Sequence, residues 1–196
     1  MEHVNSAVAA RWAGEPPTLF LMVGLPGSGK TVRAQELAAE CGGLRLSPDA
    51  WMLSIFGQED RHQTRPEGKR WLLEGRLVGL AMEVLRLGVS VVLDFGLWSR
   101  DERSALRWMA GSVGASCQVV YLPVERDVQW SRIQARWHDA PGQTFPMAEA
   151  ELDGWKAGFE VPDEQEVSGS FLPSPPPGNE GWLDWAQRFW PSLAES

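Results

Sequence analysis

Residues 24–31 read GLPGSGKT, so that two glycines, a lysine and a threonine stand at the spacing G-x-x-x-x-G-K-[ST]. The glycines of this stretch allow backbone conformations that a side chain would forbid, so successive N–H groups can point at one phosphate. Lys30 can then reach the β- and γ-phosphates, and the Thr31 hydroxyl can hold Mg²⁺. The stretch predicts a loop that binds ATP and Mg²⁺ through Gly24, Leu25, Pro26, Gly27, Ser28, Gly29, Lys30 and Thr31.

Two aspartates follow short apolar segments and are the candidate carboxylates of the site. Asp94 follows the run Val89–Leu93, where it could hold the water shell of the Mg²⁺ that Thr31 binds, or simply be a turn residue. Asp49 follows the run Leu44–Leu46, where it could take a proton from an attacking hydroxyl, or begin a helix whose dipole favours an aspartate. We interpret Asp94 as a metal-binding residue and Asp49 as a catalytic base.

Arginines on a predicted helix over residues 124–138 are candidates for a lid. Arg132 and Arg136 are four residues apart and share a face, and Arg126 lies in the first turn of the same helix. A closing lid could bring guanidinium groups onto a phosphoryl group in transfer, whereas the alternative is a solvated helix face. We assign Arg132 and Arg136 to catalysis. Arg100 and Arg103 could contact the acceptor or a phosphate, or lie on a helix surface.

Parallel strands ending at one edge of a sheet are needed to position these groups, because ligands of open α/β sheets bind at that edge. The run Thr18–Val23 has apolar residues on both faces, as a central parallel strand requires. Further strands are predicted at 44–46, 89–93 and 116–122, with a fifth at 167–172. Helices are predicted at 31–40, 48–56, 69–87, 99–113, 124–138 and 147–159, the fourth of them opened by a Ser99–Glu102 capping box.

Length and composition exclude several classes of protein. The 196 residues suffice for one α/β domain with a small appendage. The net charge of -8 disfavours nonspecific nucleic-acid binding. Cys41 and Cys117 indicate neither a disulfide framework nor a zinc site, and His62 and His138 belong to no metal-ligating cluster. Without a signal sequence or a long apolar run, we expect a cytoplasmic protein with no membrane partner.

Three regions are predicted: a leader over residues 1–17, a main domain over 18–166, and a proline-rich linker with a Trp-rich segment over 167–196. The aromatic residues of the last region fall at helical spacing, so this segment either docks on the domain or binds a partner or a second subunit. The eleven tryptophans of the chain are mostly expected to be packing residues, with a row of base-stacking residues as the alternative.

Four stretches of the chain resemble the P-loop kinases grouped with polynucleotide kinase, zeta-toxin and chloramphenicol phosphotransferase, a group with an AAA-type ATP-binding domain. They are GLPGSGKT at 24–31, SPDAWM at 47–52, VVLDFGLWSRDER at 91–103 and YLPVERDVQWSRIQAR at 121–136. The resemblance covers roughly residues 18–166. It implies a three-layer P-loop NTPase fold of the nucleoside-monophosphate-kinase type, with a central, mainly parallel five-stranded sheet and a lid.

The same resemblance implies site roles: Asp49 as general base, Lys30 with Arg132 and Arg136 on the phosphates, and Asp94 near Mg²⁺. The chain departs from polynucleotide kinases in having Ala50, Trp51 and Met52 where they often carry a basic residue.

We therefore expect an ATP-dependent kinase acting on a hydroxyl of a small molecule such as a nucleoside, a sugar or an antibiotic-like compound. The alternatives are a polynucleotide 5′-hydroxyl kinase and a nucleotide-gated ATPase that presents an interaction surface. The oligomeric state is left open.

Overall fold

The computed structural model describes residues 15–57, 68–141 and 144–195. Residues 1–14 of the predicted leader and the loop residue His62 lie outside the described residues.

A parallel sheet of four strands forms the centre of the described structure. The strands are β1 (Thr18–Val23), β2 (Leu44–Leu46), β3 (Val91–Gly96) and β4 (Ser116–Tyr121), in the spatial order β2-β3-β1-β4. β1 pairs with β3 through Leu19↔Val91 and with β4 through Leu19↔Cys117. Since β1 is flanked on both sides, the loop that follows it leaves the middle of the sheet.

Eight α-helices and a final 3₁₀ helix complete the described chain. The helices are α1 (Lys30–Cys41), α2 (Pro48–Phe56), α3 (Lys69–Arg86), α4 (Arg100–Ser112), α5 (Arg126–Asp139), α6 (Glu151–Ala157), α7 (Glu164–Ser168) and α8 (Trp182–Phe189), with the 3₁₀ helix at Pro191–Glu195. The predicted capping box opens α4, where the Ser99 hydroxyl accepts from Glu102 N and the Glu102 carboxylate accepts from Ser99 N.

Alternation along the strands separates two apolar layers, one on each face of the sheet. Leu19 and Leu21 of β1 face a large core with α3, α4 and α8, whereas Phe20 and Met22 face a smaller core with α1. Helices therefore cover both faces, and the predicted three-layer α/β class is confirmed. No helix of the described residues is long and apolar enough to cross a bilayer.

The C-terminal segment, defined here as residues 182–195, packs into the larger core. Trp182 and Trp190 are buried in it, and the 3₁₀ helix lies against α3, where Ser192 Oγ donates to Leu72 O at 2.6 Å. Trp190 packs edge-to-face on Trp185 and on Phe189. The aromatic face predicted from helical spacing is thus covered by the rest of the chain.

The strand expected at residues 167–172 does not form. α7 occupies Glu164–Ser168 and ends at Gly169, whose φ is 71°, and the residues that follow are irregular. Two contacts favour this helix over a strand: Asp163 caps it by accepting from Glu166 N, and the buried Arg103 holds Glu166 in a two-bond ion pair. Within the described residues the sheet therefore has four strands rather than five.

Candidate active site

The loop between β1 and α1 forms a cradle for an anion. Gly27 has a φ of 80°, and a Cβ placed there would lie 2.8 Å from Gln129 O, so only glycine fits. The Gln129 side chain from α5 donates to Pro26 O at 2.9 Å and fixes the loop from behind. Ser28 Oγ is buried without a hydrogen-bond partner, which leaves a polar group ready to bond a ligand.

Lys30 is the first residue of α1, directly after the loop. Its Nζ donates to Leu25 O at 2.9 Å, so the side chain folds back over the loop. Burial lowers the pKa of Lys30 to about 8; Asp94 and Asp49 act against this shift, and Arg136 adds to it. The two aspartates and the arginine predicted from sequence are therefore all close enough to this ammonium group to influence its charge.

Asp94 lies inside the C-terminal half of β3 and is buried. Its Oδ2 accepts from two nitrogens of Arg45, a residue of the neighbouring strand β2, at 2.7 Å and 3.2 Å. The 3 % exposed carboxylate is thus compensated by a guanidinium group. Both contacts use Oδ2, and Asp94 also lines the cavity described below.

Asp49 lies in the first turn of α2, after Pro48 at the first helical position and Ser47 as N-cap. Both sequence interpretations of Asp49 thus describe its position, since it begins a helix and also lies at the C-terminal end of β2. Its side chain is 58 % exposed, and its Oδ1 accepts from Arg70 Nη1 at 2.5 Å. The carboxylate is therefore accessible and held in one orientation.

A chain of polar contacts links Asp49 to the C-terminal segment. Arg70 Nε also donates to Glu74 Oε1 at 3.0 Å, and Trp190 Nε1 donates to Glu74 Oε2 at 3.4 Å. Burial acts against the charge of Arg70, but the carboxylates of Asp49 and Glu74 outweigh it and raise the pKa. Arg70 therefore stays charged and shared between two anions.

Helix α5 carries two arginines toward the loop. Arg132 Nη1 lies 3.4 Å from both Gly27 O and Ser28 O, so its guanidinium group crosses the phosphate-binding loop. Arg136 approaches Met147 Sδ at 4.0 Å. Guanidinium groups beside a phosphate-binding loop can form charge-assisted hydrogen bonds to the oxygens of a bound anion.

A single cavity of about 1160 Å³ joins these groups. The predicted site residues that line it are Pro26, Gly27, Ser28, Gly29, Lys30, Thr31, Asp49, Asp94, Arg132 and Arg136. Gly24 and Leu25 precede this part of the loop and are absent from the lining, although Leu25 O holds Lys30. The arrangement combines an anion cradle, three cationic groups, the two predicted metal-binding residues Thr31 and Asp94, and the accessible carboxylate of Asp49.

Several other candidates lie elsewhere. Arg126 pairs with Asp153 at 3.0 Å on the surface, and His138 lies beside Asp139 in an exposed position. Arg100 pairs with Asp163, and Arg103 is fully buried, so neither of the alternatives suggested for Arg103 describes it.

Sequence reasoning missed Arg45, Arg70 and Glu74. Arg70 and Glu74 are four residues apart in a predicted helix, a spacing that could have identified them as a pair. Nothing local to Arg45 or Arg70 indicates which aspartate each one contacts, because those partners are 49 and 21 residues away.

Comparison with known proteins agrees with this geometry. A family profile described as an AAA domain matches residues 19–162. The chain belongs to this AAA domain family. The match confirms the resemblance to P-loop kinases, and it covers every residue assigned to the site. No protein of curated function matches the chain in sequence.

Several solved structures share the fold of this AAA domain chain. The Pnkp1/Rnl/Hen1 RNA repair complex matches with a TM-score of 0.59 and 17 % identity, over 79 % of this chain but only 46 % of that one. A gluconokinase from Sinorhizobium meliloti 1021 matches with a TM-score of 0.55 and 19 % identity, over 92 % and 93 %. Chaetomium thermophilum Kti12 in complex with ADP-AlF3 matches with a TM-score of 0.55 and 16 % identity, over 89 % and 98 %. At these identities the likeness shows the fold alone.

Proposed function

We propose that the protein is an ATP-dependent phosphotransferase that moves the γ-phosphate of ATP to a hydroxyl group of a small molecule. One observation carries the proposal: the accessible carboxylate of Asp49 lines the same cavity as Lys30 and the phosphate-binding loop. A nucleotide switch or a plain binding module needs the loop but has no need of a carboxylate on the acceptor side.

Each residue has a defined part in the proposed transfer. Lys30, Arg132 and Arg136 neutralise the phosphate oxygens and hold the γ-phosphoryl group toward the acceptor. Asp49 accepts the proton of the acceptor hydroxyl while the oxygen of that hydroxyl forms a bond to the γ-phosphorus. The bond from that phosphorus to the bridging oxygen breaks, and ADP leaves with the electron pair. Positioning and charge supply most of the rate, since the protein forms no bond to phosphorus.

The donor set also fits Mg²⁺, which would neutralise charge between the β- and γ-phosphates when bound. Among the described residues no group of three or more His, Cys, Asp or Glu side chains could hold a metal by itself. This agrees with Mg²⁺, which takes one or two protein ligands and completes its shell with water and phosphate oxygens. Thr31 and Asp94 would provide those contacts, and the unpartnered Ser28 Oγ supports a phosphate in the cradle.

The charge of the molecule favours a small acceptor over an oligonucleotide. The net charge is -8, and the arginine nearest Asp49 is already shared by two carboxylates. A polynucleotide 5′-hydroxyl kinase needs basic side chains along the acceptor strand, and it would bind oligonucleotides with a strong salt dependence. Binding that is absent or independent of salt is the result expected here.

The test is to incubate the protein with γ-labelled ATP and Mg²⁺, with and without pooled nucleosides, sugars, oligonucleotides and antibiotics, and to follow the label. Label in one small molecule is the expected result, and it identifies the acceptor class directly. Label only in free phosphate, unchanged by every pool, would contradict the proposal and favour a slow ATPase acting as a switch.

A further inference from the structure

Five half-buried aromatic rings line the cavity, and none of them comes from the phosphate-binding loop or from α1. They are Trp71, Phe95, Trp98, Phe145 and Trp155. Trp71 follows Arg70, which holds Asp49, and Phe95 follows Asp94. All five rings therefore line the same cavity as Asp49 and Asp94, and Phe95 packs against the larger core as well.

These rings differ from the tryptophans that stabilise the core. Trp182 and Trp190 are 3 % and 0 % exposed, whereas the five cavity rings each keep part of their surface open. Apolar surface facing water inside a cavity is unfavourable until a ligand covers it, and a flat ring is best covered by another flat ring. The five rings, called the aromatic wall below, are thus suited to bind an aromatic ligand.

The charge of this part of the cavity restricts the ligand further. Outside the loop, α1 and α5, Arg70 is the only basic residue among the described residues that line the cavity. Its guanidinium group is shared by Asp49 and Glu74, and Glu102 adds a third carboxylate. Among the described residues of this part, a negatively charged acceptor would meet three carboxylates and one guanidinium group that two of them already share.

From these two features we infer that the acceptor is a hydroxyl compound that carries an aromatic or heteroaromatic ring and no negative charge. This inference rests on the proposed function, because it takes the Asp49 side of the cavity to be the acceptor side. The ring would stack on the aromatic wall while the hydroxyl group reaches Asp49.

The test measures binding without requiring turnover. The protein is saturated with Mg²⁺ and a non-hydrolysable ATP analogue, which occupies the nucleotide site, and probes are added one at a time. The probes are thymidine, the dinucleotide TpT, 2-phenylethanol, glucose and gluconate, and binding is followed by saturation-transfer NMR. Thymidine and TpT form a matched pair, since TpT keeps the ring and a 5′-hydroxyl but adds a negatively charged phosphate.

We expect thymidine or 2-phenylethanol to bind, thymidine to bind about tenfold or more tightly than TpT, and glucose and gluconate not to bind. Comparing thymidine with 2-phenylethanol separates a heteroaromatic acceptor from a simple aromatic alcohol. Trp98→Ala should weaken binding of the ring probes roughly 5- to 150-fold, the range of one lost stacking contact, and Trp98→Phe should restore most of it. Trp108→Ala is the matched control, because Trp108 lies on α4, is 37 % exposed and does not line the cavity.

Gluconate or TpT binding more tightly than thymidine would overturn the inference, and so would binding of no ring probe at all. Failure of the proposed function looks different from either. Ring probes that bind through Trp98 while no label leaves ATP for any acceptor would retain the ligand class and reject the transferase. Transfer of label to an anionic polyol would retain the transferase and reject the ligand class.

Discussion

Replacing Trp190 by alanine should strongly destabilise the whole domain. Trp190 is 0 % exposed, and its indole N–H donates to the buried Glu74 at 3.4 Å. A buried tryptophan truncated to alanine costs roughly 3–5 kcal/mol, and a lost hydrogen bond adds about 1 kcal/mol. The expected loss is therefore about 4–6 kcal/mol, against a total of roughly 5–15 kcal/mol for a typical domain.

Thermal and urea unfolding followed by circular dichroism at 222 nm measure this loss. In a chain of this length about 4–6 kcal/mol corresponds to a Tm lowered by roughly 8–24 °C. Trp190→Phe keeps an aromatic ring but no donor, and it should cost only about 1–2 kcal/mol. Trp108→Ala, on the 37 % exposed side chain, should cost about 1 kcal/mol.

A Trp190→Ala protein that unfolds within about 1 kcal/mol of the wild type would refute the reasoning. In that case the C-terminal segment would be an appendage rather than part of the core. If the reasoning holds, a chain truncated before this segment will not fold, and it therefore cannot be used to test catalysis by itself.

Three further predictions concern charged groups. Because the pKa of Lys30 is about 8 without nucleotide and the phosphates of ATP favour its charged form, binding ATP at pH 8 should take up roughly half a proton, measured by calorimetry in buffers of different ionisation enthalpy. ATP affinity should accordingly fall as pH rises above 8, and unchanged affinity with no proton uptake would contradict this. Arg70→Met should lower the free energy of unfolding by roughly 1–3 kcal/mol in urea melts, since the buried Glu74 loses a charged partner, and a neutral effect would count against the pairing. Arg103→Met should cost roughly 3–5 kcal/mol by leaving Glu166 as a buried charge, and changing both residues to methionine should recover much of that loss in the same assay.

The centre of the fold could be predicted because its signals are local. The GLPGSGKT spacing requires a strand before it and a helix after it, and both are present as β1 and α1. Asp49 and Asp94 could be expected near the loop because both follow apolar strands, and parallel strands end at one edge. The geometry around Lys30 agrees with that expectation.

What the sequence did not indicate depends on distant contacts. Arg45 contacts Asp94 and Arg70 contacts Asp49, and each pair comes together only when the chain folds. Residues 167–172 contain apolar residues typical of a strand, yet Asp163 and the buried Arg103 favour a helix over 164–168 instead. The contact of Trp190 with Glu74 likewise joins residues 116 positions apart, so the link between the C-terminal segment and the site has no local signal.

The most direct test of the proposed transferase is Asp49→Asn, measured for phosphoryl transfer to the acceptor that the labelling survey identifies and, separately, for ATP binding. Asp127→Asn is the matched control, because Asp127 also lies exposed in the first turn of a helix but does not line the cavity. We predict that Asp49→Asn slows transfer roughly 100- to 10,000-fold while ATP affinity stays near that of the wild type, and that Asp127→Asn changes neither. Near-normal transfer by Asp49→Asn would remove the carboxylate from the mechanism and contradict the account.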